Sequence, residues 1–133
     1  MELSRIIVFI AILLLPFAGL ASAGAEQPKT VATKADNGKE ITVSEGEIFE
    51  VRLESHGGTG YLWQIVDPDE THLKVLSSAD IPLKQGVLGG PLLKKWQVKA
   101  LKAGNTELKI LLYRPWEGIE KAAERFQVNI QIR

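Results

Sequence analysis

Ile48-Phe49-Glu50-Val51-Arg52-Leu53-Glu54 is the stretch that decides the fold. Phe49, Val51 and Leu53 alternate with Glu50, Arg52 and Glu54. That period of two buries one face of a strand and wets the other. Ser55-His56-Gly57-Gly58-Thr59-Gly60 then interrupts the strand with a glycine-rich connection. A second strand opens at Tyr61-Leu62-Trp63-Gln64-Ile65-Val66, and its odd positions Tyr61, Trp63 and Ile65 are assigned to the core.

The same signature recurs on both sides. Downstream, Trp96, Val98 and Ala100 alternate with Lys95, Gln97 and Lys99. Leu108, Ile110 and Leu112 repeat the pattern, and the last strand sets Phe126, Val128, Ile130 and Ile132 inside. Leu73–Leu76 and Ile81–Leu83 read as two further short strands, and Ile41–Val43 as another. Thr30-Val31-Ala32-Thr33 is a candidate edge strand. Asp36-Asn37-Gly38, Ser44–Glu47, Asp67–Glu70 and Lys102–Asn105 supply the turns, because Asn, Asp and Gly accept turn geometry at low cost. Only Ile119–Glu124 could hold a helical turn. Many short strands with frequent turn signals predict an all-β protein, an antiparallel β-sandwich of about seven or eight strands.

Of the 133 residues, Lys and Arg together number 16, as do Asp and Glu. That balance argues against nucleic acid and against a charged membrane surface as partners, since both call for a basic patch. Residues 1–23 read as a signal peptide: Arg5, the apolar run Ile6–Leu15, the breaker Pro16, and small residues at Ala21-Ser22-Ala23. The apolar run is too short for a spanning helix, which needs roughly 20 residues. A secreted or periplasmic protein with no membrane attachment after cleavage is therefore expected. Residues 24–40 form a polar N-terminal segment, and residues 41–133 the sandwich domain. With no cysteine in the chain, that core must hold without disulfides.

A search for catalytic groups is mostly negative. His56 and His72 show no metal-ligand spacing, and no nucleophile elbow is present. Gly57-Gly58-Thr59-Gly60 lacks the Lys-Ser/Thr of a phosphate loop and leads into a strand. His56 is the best single candidate for proton transfer. No cofactor and no metal are expected, and a secreted hydrolase is disfavoured. What stands out is three loops, and loops on a rigid scaffold are where binding concentrates. One carries Thr59, and one runs Lys84–Pro91 with Leu88 and paired glycines. The third is Tyr113-Arg114-Pro115-Trp116-Glu117-Gly118. On these residues alone, Trp116 is as good a plug over the core as a contact for a partner.

These motifs resemble the chagasin-type inhibitors of papain-like cysteine proteases. The family's first loop reads Asn-Pro-Thr-Thr-Gly, an aromatic, one residue, and Trp. Here Thr59, Gly60, Tyr61 and Trp63 match, and His56-Gly57-Gly58 replaces the opening. Its middle loop reads Gly-x-x-Gly before an aromatic; Gly89 and Trp96 match, Leu92 takes the second glycine position, and Gly90 lies close by. Its third loop reads Arg-Pro-Trp, as Arg114-Pro115-Trp116 does. The resemblance implies an immunoglobulin-like sandwich acting as a monomeric, reversible, non-covalent inhibitor and not as an enzyme. A papain-like cysteine protease would be its partner. It implies that His56, Gly57, Gly58, Thr59, Gly60, Leu88, Gly89, Gly90, Arg114, Pro115 and Trp116 plug the protease cleft, with Trp116 facing the partner. The competing expectation is a secreted immunoglobulin-like binding or adhesion module.

Overall fold

A computed structural model describes residues 28–133. The signal peptide expected at 1–23 lies outside the described residues. Among the described residues, eight strands form two four-stranded sheets. They are β1 (Val31–Ala32), β2 (Glu40–Val43), β3 (Ile48–Ser55), β4 (Leu62–Val66), β5 (Leu73–Pro82), β6 (Leu92–Ala100), β7 (Gly104–Tyr113) and β8 (Glu124–Ile132). One sheet has the order β1-β3-β6-β5 and the other β2-β8-β7-β4. Short 3-10 turns at Lys34–Asp36 and Ile119–Lys121 are the helical pieces, the second lying within the segment expected to turn.

The alternating strands pack as their period dictates. Phe49, Val51 and Leu53 meet Trp96 and Val98 on one inner face; Trp63, Leu108, Ile110, Phe126, Val128 and Ile130 line the other. All of these are buried. Each such side chain contributes roughly 1.5–3 kcal/mol by leaving water. Tyr61 and Ile65 are only partly buried and pack against the rim of this core.

The sandwich departs from the sequence reading in two places. It is mixed, not wholly antiparallel: β1 runs parallel to β3, and β2 parallel to β8. Consecutive N-terminal strands thus form an edge of each of the two sheets. The expected strands at Leu73–Leu76 and Ile81–Leu83 are one strand, β5, with an irregularity between Val75 and Ser77. Ser77-Ser78-Ala79-Asp80 are weak strand formers. They are held in register by β6, from Ser77 opposite Gln97 to Pro82 opposite Leu92, so pairing overrides propensity.

Glu50 is a buried carboxylate on the outer face of its sheet, 2% exposed. Arg52 Nε donates to it at 2.9 Å, and Lys95 Nζ lies 3.4 Å away. Burial pushes this carboxyl up, but the Arg52 and Lys95 charges outweigh it and hold it below the ordinary glutamate value. A depressed folded value means the pairing stabilises above the unfolded glutamate pKa of about 4.3, and that contribution is lost as pH falls through the folded value. Glu50→Gln is expected to cost about 1–3 kcal/mol at pH 7, with the gap to wild type shrinking at pH 3. Urea titrations of both chains at the two pH values measure it.

Candidate functional site

Strand direction gathers the three loops. β3 and β5 both run antiparallel to β6, so they share a direction. β7 runs antiparallel to β4, which returns from β3. The ends of β3, β5 and β7 therefore lie at one end of the sandwich. The first loop, His56–Tyr61, crosses from one sheet to the other. The middle loop, Leu83–Pro91, is a hairpin connection within the first sheet, and the third, from Arg114, is a hairpin connection within the second. The crossing loop therefore sits between the two hairpins.

Trp63 anchors the first loop. It is buried, and its indole N–H donates to the Glu54 carbonyl at 2.9 Å, tying the start of β4 to the end of β3 across the sheets. At the tip, Thr59 Oγ1 donates to the His56 carbonyl at 3.1 Å and accepts from the Tyr61 N–H at 3.5 Å. Gly58 and Gly60 take φ of +78° and +80°, left-handed values that L side chains rarely adopt. His56 is exposed and borders a groove shared with Thr33, Arg52, Ser55 and Pro91.

The third loop leans on the first. Arg114 Nε donates to the Thr59 carbonyl at 2.9 Å. Its guanidinium lies 4.4 Å from the Tyr61 ring centroid and 5.9 Å from that of Trp116. Its Nη1 is 3.4 Å from the Glu117 carboxylate. Arg114 thus spends its fork on the protein itself, as a planar guanidinium can when it stacks and donates together. Trp116 is 72% exposed and does not plug the core. Its ring edge passes over Gly60, where an added Cβ would come within 2.4 Å of Cη2.

The middle loop presents Leu88 fully to solvent, with Val87 exposed beside it. Leu83 N–H donates to the Pro91 carbonyl at 3.0 Å across its base, and Gly90 N–H to the Val87 carbonyl at 3.4 Å within it. Gly89 has φ of +69°. Exposed apolar side chains from the middle and third loops, Leu88 and Trp116, and from the start of β4, Leu62, therefore crown one end. A cluster of exposed apolar side chains of this kind marks an interaction surface.

Of the residues singled out from the sequence, Gly57 and Gly58 face Gly89 and Gly90, and Arg114 and Trp116 reach Thr59 and Gly60. His56 borders the groove beside them, and Leu88 stands out in solvent. Pro115 lies in the turn closed by the Glu117 N–H on the Arg114 carbonyl at 2.9 Å. Sequence reasoning missed two members. Tyr61, assigned to the core, does pack against it but at the rim, where it also offers a ring face to Arg114. Glu117 completes the Arg114 contacts, and its spacing of three from an arginine was the available signal. At the opposite end, Asp69 accepts from Thr106 Oγ1 and from His72 Nδ1, each at 2.7 Å, and both hold its carboxyl below the usual range. His72 is thus a local fastening, remote from the loops.

The family model described as chagasin family peptidase inhibitor matches residues 42–130. Chagasin of Trypanosoma cruzi is 31% identical over 104 residues, covering 74% of this chain and 94% of that protein. Amoebiasin-2 of Entamoeba histolytica is 28% identical over 106 residues, covering 77% and 85%. Among solved structures, the cysteine protease inhibitor EhICP2 from Entamoeba histolytica aligns with a TM-score of 0.69 at 24% identity, covering 78% of this chain and 95% of that one. PbICP-C, solved in complex with falcipain-2, aligns at 0.58 and 20% identity, covering 81% and 93%. These likenesses establish the immunoglobulin-like sandwich.

Gly60→Ala is expected to cost about 1–2 kcal/mol, because an alanine at positive φ is strained and its Cβ displaces Trp116. Trp116→Ala should alter stability by less than about 1 kcal/mol, as befits an exposed side chain. Chemical denaturation of each variant gives both values; a large loss for Trp116→Ala would mean that the indole is a structural plug.

Proposed function

The chain belongs to the chagasin family of peptidase inhibitors and is not an enzyme, and we propose that it blocks papain-like cysteine proteases by setting its three-loop end into the active-site cleft. The observation that carries this reading is the end itself: an exposed apolar crown whose backbone is already fixed. An ordered loop loses less entropy on binding, so affinity follows from preorganisation. The relative solved with falcipain-2 supports the partner class.

The central position of the first loop suits it to lie over the protease's catalytic cysteine and histidine, with Leu88 and Trp116 on either flank. Resistance to cleavage has a physical basis in the same geometry. A substrate presents an extended backbone with its carbonyl free to be attacked. Here Gly58 and Gly60 hold positive φ, so the backbone is not extended, and the Thr59 carbonyl oxygen is tied to Arg114 and so is not free to turn into a protease's oxyanion hole. Association is non-covalent and reversible in this reading, because a loop that is not extended presents no peptide bond in line for the protease's thiolate. The leader expected at residues 1–23 supports a secreted or periplasmic site of action.

The test is inhibition of papain and of a cathepsin by residues 24–133, read with a fluorogenic peptide. Inhibition that reverses on dilution is expected. No inhibition at micromolar protein by several such proteases would sink the proposal. Trp116→Ala should weaken inhibition by about 2 kcal/mol, near 30-fold, as loss of a buried aromatic anchor does.

A further inference from the structure

The first and middle loops touch backbone to backbone. A Cβ built on Gly57 would lie 2.0 Å from the Gly90 carbonyl oxygen and 2.9 Å from the carbonyl carbon and oxygen of Gly89. On Gly58 it would lie 3.6 Å from Gly89 Cα, and on Gly89 it would lie 3.8 Å from Gly58 Cα. Four glycines from two loops therefore make one seam. Contact this close is open only to backbone without side chains.

Gly57 differs from its neighbours in one respect. Gly58, Gly60 and Gly89 need glycine for their positive φ, whereas Gly57 is not among the positive-φ glycines. Its own backbone would accept a side chain; only the middle loop forbids one. Position 57 is also where the chain departs from the family's first-loop motif, which has proline there. The middle loop needs such a seat. Beyond its base pairing at Leu83 and Pro91, its hydrogen bond from Gly90 to Val87 lies within the loop and ties it to nothing else.

We infer that Gly57 is a positioning residue for Leu88. The bare backbone at Gly57 seats Gly89 and Gly90, and that seat fixes where the fully exposed Leu88 stands beside the first loop. Leu88 then meets an apolar hollow on the rim of the target's cleft, so this chain selects proteases that offer one. This extends the inhibitory reading above and rests on it for the identity of the target, but the seat itself is a property of the free protein.

Two measurements on Gly57→Ala test it. Amide hydrogen exchange on the free protein should rise at least tenfold at Gly90 and Leu83, the hydrogen-bonded amides of the middle loop, with β3 and β6 as protected as in wild type. In inhibition assays Gly57→Ala and Leu88→Ala should each weaken binding about tenfold, and the double variant little more than either, because both remove the same contact. Unchanged exchange in Gly57→Ala, or losses that multiply to about a hundredfold, overturns the inference. Exchange reads the free protein, so it decides the seat even where no protease is inhibited; that second failure would count against the proposed function alone. Should Gly57→Ala destabilise the whole chain, it is repeated with residues 84–90 replaced by an Asn-Gly turn. There the alanine should be harmless, and a persisting loss of melting temperature would show that Gly57 serves the fold and not the loop.

Discussion

Everything at the functional end depends on how the chain crosses from β3 to β4. These strands belong to different sheets, so the first loop must span the top of the sandwich. Trp63 fixes that crossing. Its ring is buried between the sheets while its N–H satisfies the Glu54 carbonyl at the end of β3. A buried indole contributes both apolar area and a directed bond, and losing either would let the crossing slide. Once the crossing is fixed, the hairpins on either side have a fixed neighbour. The middle loop meets it through glycine backbone, and the third through Arg114 and Trp116.

This arrangement changes the expected division of labour. An arginine and a tryptophan in an exposed loop both read as contacts for a partner. In the structure Arg114 turns inward, onto the Thr59 carbonyl and the Tyr61 ring, with Glu117 beside it. Only Trp116 is left for the partner. The surface offered is therefore mainly apolar and shape-dependent, with its principal cation already paired. For such a surface, rigidity decides affinity more than charge does, because each immobilised side chain spared on binding saves about 0.5–1.5 kcal/mol.

Much of the fold was legible because its central strands are half buried. The alternation in β3, β6 and β8 identifies the inner face residue by residue, and Phe49, Val98 and Ile130 stand where it puts them. The rest was hidden for physical reasons. β5 shows no alternation because it is an edge strand exposed along most of its length, so its continuity comes from β6 and not from its own residues. The parallel pairing of β1 and β2 has no local signature, since two to four residues leave no period to read. Glu50 occupies a wet-face position yet is buried, which only its neighbours Arg52 and Lys95 could reveal. The site was legible as three loops, but not as a linked set. Contacts between Gly57 and Gly90, or between Gly60 and Trp116, join residues far apart in the chain and depend on side chains that are absent.

That last point bears on how the family motif has diverged here. Thr59, Gly60, Tyr61 and Trp63, together with Arg114 and Trp116, keep the pattern, and they are the residues that join the first loop to the core and to the third loop. His56, Gly57 and Gly58 depart from it, and Gly57 and Gly58 face the middle loop, whose second motif glycine is likewise displaced. Two of the three departures in the first loop therefore fall on one seam, while His56 borders the groove beside it. A side chain lost from one face of a contact opens space that the opposing backbone can occupy, and close-packed interfaces rarely leave such space empty. At this seam neither loop can gain a side chain at Gly57 without the other moving, because the Gly90 carbonyl oxygen already occupies that space. The joint between the first and third loops, which fixes the Thr59 carbonyl, lies outside that seam.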